Sequence, residues 1–108
     1  MMQTKELAKY LMEQFEGLGE VTSRAMMGGY IFYYKKRIFG GIYEPGFMVK
    51  LTEASKRYLP KAELMPPYDG AKAMLLVAEI DDRELLCDMV KEMYDELPAP
   101  KSKTKSRD

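Results

Sequence analysis

Few residues of this chain are equipped for chemistry, and each of them has a packing role to hand. There is no histidine, which removes the usual general base of nucleophilic triads and the commonest zinc ligand. The single cysteine, Cys87, has no partner for an internal disulfide or a CxxC redox pair. It falls about two turns into an amphipathic stretch beside Asp88, beyond the helix end that would lower its pKa, so it reads as a small packing residue. Asp81 and Asp82 fit capping and dipole complementarity at a helix start better than paired acid–base work. Gly28-Gly29 and Gly40-Gly41 match no phosphate-binding loop and lead into no helix, so they read as bends or close-packing points. Met26-Met27 has no nearby cysteine or histidine to complete a soft metal site. The sequence therefore predicts no catalytic residue, no metal site and no cofactor.

A more informative feature is the cluster of strand aromatics from Tyr30 to Phe47. Alternation sends Tyr30, Phe32 and Tyr34 to one sheet face and Ile31 and Tyr33 to the other. With helices over only one face, some rings should lie on the open side. Arg24, Tyr30, Phe32, Tyr34 and Lys50 are accordingly the candidate interaction surface. Aromatics are enriched in interface cores, so a protein partner or a symmetric homodimer, through the open sheet or its edge, fits this surface. Rings interleaved with cations also suit a single-stranded nucleic acid, the alternative reading.

The elements that must position these residues follow from periodicity. Leu7, Leu11, Phe15 and Leu18 predict a first helix over 4–17, with Thr4 as its cap. Val21–Met27, Tyr30–Tyr34, Arg37–Tyr43 and Phe47–Leu51 read as strands of an antiparallel meander. Thr52 caps a short second helix with a Glu53–Arg57 pair, and Pro60 ends it. Residues 60–73 read as loop, and Met74–Ile80 as a strand inside the sheet. A last helix starts at Asp81, its stripe formed by Leu85, Leu86, Met89, Val90, Met93 and Leu97. The order α-β-β-β-β-α-β-α predicts an α+β, two-layer fold, with about five antiparallel strands and all three helices on one face.

Composition sets the outer limits. The chain has 108 residues, one domain's worth, with 46% hydrophobic and 31% charged side chains, as in ordinary globular proteins. Seventeen basic residues balance seventeen acidic ones. Four of the basic residues and one acidic residue fall in 101–108, leaving thirteen basic against sixteen acidic before it. A mildly acidic body argues against direct binding of nucleic acid. No stretch approaches the ~20 apolar residues that cross a bilayer, and the first residues lack a signal peptide's apolar segment. The expectation is a cytoplasmic protein with no membrane contact. The domain should span 1–97, followed by a disordered basic tail over 98–108.

The segment Ser23-Arg24-Ala25-Met26-Met27-Gly28-Gly29-Tyr30 resembles the S-R-x-M-F-G-G-Y/F signature of the TfoX/Sxy N-terminal domain. The Arg37–Lys50 hairpin is similar in layout, and Pro66-Pro67-Tyr68-Asp69-Gly70-Ala71-Lys72-Ala73-Met74 resembles a branch of small single-domain members. Met27 stands where phenylalanine is usual, and Lys35-Lys36 where Asp-Gly is usual. The family takes its name from regulators of natural competence in bacteria, which carry a second, C-terminal helical domain for which 108 residues leave no room. The resemblance implies the fold and a non-enzymatic interaction or regulatory module, and supplies no catalytic residues to carry over. On this division of the chain, deleting residues 99–108 is expected to leave the melting temperature nearly unchanged in calorimetry. A loss of several degrees would move the domain boundary towards the C-terminus.

Overall fold

A computed structural model describes residues 3–26 and 28–98; Met27 and all of the expected tail except Pro98 lie outside the described residues. Helix α1 spans Thr4–Gln14, and its cap is Gln3 rather than Thr4. The Gln3 N–H donates to the Glu6 carboxylate at 3.2 Å, which answers one of the helix's orphan donors. The expected helical stretch to residue 17 breaks instead at Phe15, and a 3-10 turn, Glu16–Leu18, completes it.

The meander follows as β1 (Val21–Met26), β2 (Gly29–Tyr34), β3 (Arg37–Tyr43) and β4 (Gly46–Lys50). Then come α2 (Glu53–Tyr58), β5 (Leu64–Met65), β6 (Met74–Leu76) and α3 (Arg83–Met93), ending in a second 3-10 turn, Tyr94–Glu96. The sheet is antiparallel throughout, in the order β1-β2-β3-β4-β6-β5. Among the described residues it therefore has six strands rather than about five. The extra one, β5, is two residues long and sits in the stretch read as loop. The cap of α3 is Asp82, which accepts from the Leu85 N–H at 3.1 Å, while Asp81 accepts a hydrogen bond from the Tyr10 hydroxyl. Arg57 pairs across to Glu92 of α3 rather than with Glu53.

One core lies between the three helices and one sheet face. Leu11 and Phe15, Ala54 and Leu59, and Leu86, Met89, Val90 and Met93 meet Phe32, Phe39, Ile42, Phe47, Val49 and Leu75. A bulge between Phe32 and Tyr33 leaves Phe39 unopposed by β2, and its ring turns into this core. Beside it, a Cβ on Gly40 would lie 2.3 Å from the Met48 carbonyl oxygen, so only glycine lets β3 and β4 approach this closely.

Arg37 closes the open end of α3. Its Nη1 donates to the Tyr94 and Leu97 carbonyls at 3.1 and 3.2 Å, and the guanidinium lies 4.3 Å from the centre of the Tyr94 ring. These carbonyls are among the orphan acceptors at a helix C-terminus. Replacing Arg37 with Met is expected to cost about 2 kcal/mol in urea denaturation, the scale of hydrogen bonds from a charged donor.

The β2–β3 turn is held by Lys35 and Lys36, at φ 49° and 71°. Both lie in the left-handed region, as a two-residue type I′ turn requires and as a lysine disfavours. Lys36→Gly is expected to stabilise the protein by about 1 kcal/mol, read as a rise of several degrees in melting temperature.

Candidate functional site

The sheet face away from the helices is the candidate site. Pairing fixes its membership. Thr22 sits opposite Tyr33 and Arg24 opposite Ile31, while Tyr33 faces Ile38 and Ile31 faces Gly41. Further across, Met48 faces both Gly41 and Leu76, and Lys50 faces Met74. These side chains alternate with the core residues of the same strands and point the other way.

The open face has two halves. On the β3–β4–β6 side, Met48 is fully buried and Met74 nearly so, although neither belongs to the helix-side core. A Cβ on Gly41 would lie 3.1 Å from the Tyr43 ring, so that ring folds back over the sheet. Tyr68, from the proline-flanked loop, approaches Tyr43 with ring centres 6.2 Å apart, and the neighbouring Pro67 is buried. Burial raises the Tyr43 hydroxyl above its usual range, with Tyr68 adding to the effect. On the β1–β2–β3 side Ile31, Tyr33 and Ile38 remain half-exposed. There Thr22, Ser23, Arg24, Tyr33 and Lys36 line a shallow depression of about 420 Å³.

The predicted surface residues divide between the two faces. Arg24 is exposed and Lys50 half-exposed on the open face. Phe32 and Tyr34 lie in the helix-side core at 0% and 4% exposure, and Tyr30 is half-buried against that core. Their expected exposure is corrected, and the physical reason is Val21. It pairs with Tyr34 and turns inward into the core, beside Met12 and Phe15 at the end of α1, which sets the parity of β2. Ile31 and Tyr33 occupy the open side in their place, joined by Ile38, which sequence reasoning left out.

Titratable groups elsewhere are used structurally. The Cys87 thiol lies 3.3 Å from the Gln14 carbonyl, to which it donates, and burial raises its pKa. That shift favours the thiol over the nucleophilic thiolate. Glu92 accepts hydrogen bonds from the Tyr58 hydroxyl and from Arg57, which hold its carboxyl below the usual range. Among the described residues, no three His, Cys, Asp or Glu side chains come together as a metal site. No helix among the described residues is long and apolar enough to cross a membrane.

The family model described as TfoX N-terminal domain matches residues 13–97, from the last turn of α1 to the end of the α3 side of the core. No curated protein matches the chain.

Proposed function

We propose, for a chain that belongs to the TfoX N-terminal domain family, a non-enzymatic regulatory role in which the open sheet face docks a protein partner. The observation behind this reading is the half-exposed band of Ile31, Tyr33 and Ile38 on β2 and β3. Arg24 and Lys50 share that face, Lys36 adjoins it in the β2–β3 turn, and no strand residue of the face carries a carboxylate. Such a surface suits a partner presenting apolar side chains among carboxylates. The competence regulators that the chain resembles act with a transcription activator, which makes a transcription protein the first partner to try. A cytoplasmic setting goes with this reading, because a reducing compartment suits an unpaired thiol such as Cys87.

A second reading has its own observation: the Tyr33 ring shares a depression with Arg24 and Lys36, and such groups stack bases and contact phosphates. One set of measurements separates the two. Tyr33 lies outside the helix-side core, so Tyr33→Glu is expected to stay folded, with a modest loss of melting temperature from its cross-strand contacts with Thr22 and Ile38. It should bind a partner captured from the native host about tenfold or more weakly than the wild type, as loss of a central aromatic does. A partner whose affinity is unchanged by both Tyr33→Glu and Ile31→Lys would overturn the proposal. Binding to single-stranded DNA that falls steeply with salt, and is lost in Tyr33→Ala, would install the second reading instead.

A further inference from the structure

Among the described residues, no element covers the first strand, which is an edge of the sheet. It has six residues, no proline, an uninterrupted register against β2 and one charged side chain, Arg24. Sheet edges are ordinarily blunted by prolines, bulges, clustered charge or shortness. The opposite edge, β5, uses the last of these, being two residues long. From Thr22 to Met26 every residue of β1 is exposed.

The direction of its free backbone groups follows from one bond. The Lys35 N–H donates to the Glu20 carbonyl at 3.0 Å, and hydrogen-bonded and non-bonded pairs alternate along an antiparallel ladder. Thr22, Arg24 and Met26 therefore direct their backbone groups to β2, and Val21, Ser23 and Ala25 turn theirs outward. The Val21 N–H is met by the Gly19 carbonyl at 2.9 Å. The groups of Ser23 and Ala25 point away from the sheet and meet no partner among the described residues.

We propose that a second copy of this chain pairs antiparallel with β1 about a two-fold axis at Ser23, giving one continuous sheet. The register is set by the chain's own residues. An axis at Arg24 would place two guanidinium groups directly opposite each other, which is destabilising. An axis at Ser23 puts Arg24 opposite the partner's Thr22 and Val21 opposite the partner's Ala25, and it overlaps five of the six residues of the strand, 21–25. It also aligns the outward backbone groups for exchange. On the helix side a cleft of about 400 Å³ runs between α1 and β1, with Met12, Phe15 and Val21 in its walls. In this register the cleft lies beside the partner's Ala25, a residue small enough to close over it. The chain's zero formal charge adds no net repulsion between copies.

This pairing uses the edge, whereas the docking proposed above uses the face, so the two fail separately. Tyr33→Glu should leave self-association intact. Sedimentation velocity on the full chain over a concentration series is expected to show a monomer–dimer equilibrium. Ser23→Pro should weaken it about tenfold or more, because it removes an outward N–H and none directed to β2. A monomer at every concentration, or a dimer that Ser23→Pro leaves intact, overturns the proposal. Disulfide trapping in a Cys87→Ala background reads the register without relying on the proline variant. Ser23→Cys should cross-link under mild oxidation, since the paired Cα atoms would lie about 5.5 Å apart, within disulfide reach. Failure of Ser23→Cys to cross-link, or faster cross-linking by Arg24→Cys, overturns it.

Discussion

All four phenylalanines of the chain meet in one cluster, and the rest of the fold is arranged around that contact. Phe15 stands at the end of α1, and Phe32, Phe39 and Phe47 come from three successive strands. The Phe15 ring lies 5.3 Å from Phe39 and 6.1 Å from Phe47, edge-on to both, while Phe32 and Phe39 stack at 6.1 Å. Edge-to-face and offset contacts are the favoured geometries for such rings. Because each ring belongs to a different element, the cluster fixes where α1 ends over the sheet. It also fixes which sheet face the helices cover. The bulge that admits Phe39 and the missing side chain at Gly40 are the backbone's accommodation to this packing.

Polar contacts then secure what the rings have placed. The buried Gln14 donates from its side chain to the Ile80 carbonyl at 2.8 Å, joining α1 to the segment before α3. The Glu96 carboxylate accepts from the Glu53 and Ala54 N–H groups at 2.8 and 3.1 Å, so the end of the α3 segment serves the start of α2. Arg37 returns the favour from the sheet to the last carbonyls of that segment. Helix ends are where backbone groups lack internal partners, and these side chains supply partners from another element. The tertiary arrangement and the local helices therefore depend on the same bonds.

Element order was readable from the sequence because periodicity and turn residues are local. The bounds of the four meander strands agree within a residue, whereas the expected strand Met74–Ile80 pairs only over Met74–Leu76; the last stripe buries Leu86, Met89, Val90 and Met93 on α3 and Leu97 beyond it. What is not local was lost. The strand β5 has no signal of its own, since two residues cannot show alternation; only β6 makes it a strand. The partners of Arg37, Glu96 and Arg57 lie in other elements. Alternation divided β2 into two sets of side chains but could not say which set faces the helices. That choice rests on Val21 and Phe15, residues outside β2.

A distinction present in the sequence would have made that choice. Grouping Tyr and Phe as one aromatic class hides the hydroxyl, which needs water or a partner and so belongs at a boundary. The chain obeys this closely. Its phenylalanines are all inside, whereas Tyr10 and Tyr58 reach carboxylates at the surface. Tyr33, Tyr43 and Tyr68 lie on or beside the open face. Tyr34 is the buried exception, and it packs edge-on to Tyr94 at the end of the core rather than in its middle. In β2 the set Tyr30, Phe32 and Tyr34 contains the strand's one phenylalanine, and that ring marks the inward face. Tyr33 then falls outward with Ile31, and a tyrosine held among aliphatic side chains can bury its ring while keeping its hydroxyl exposed. The residue that makes the open face suited to a partner is thus one whose hydroxyl favours a boundary over the middle of the core.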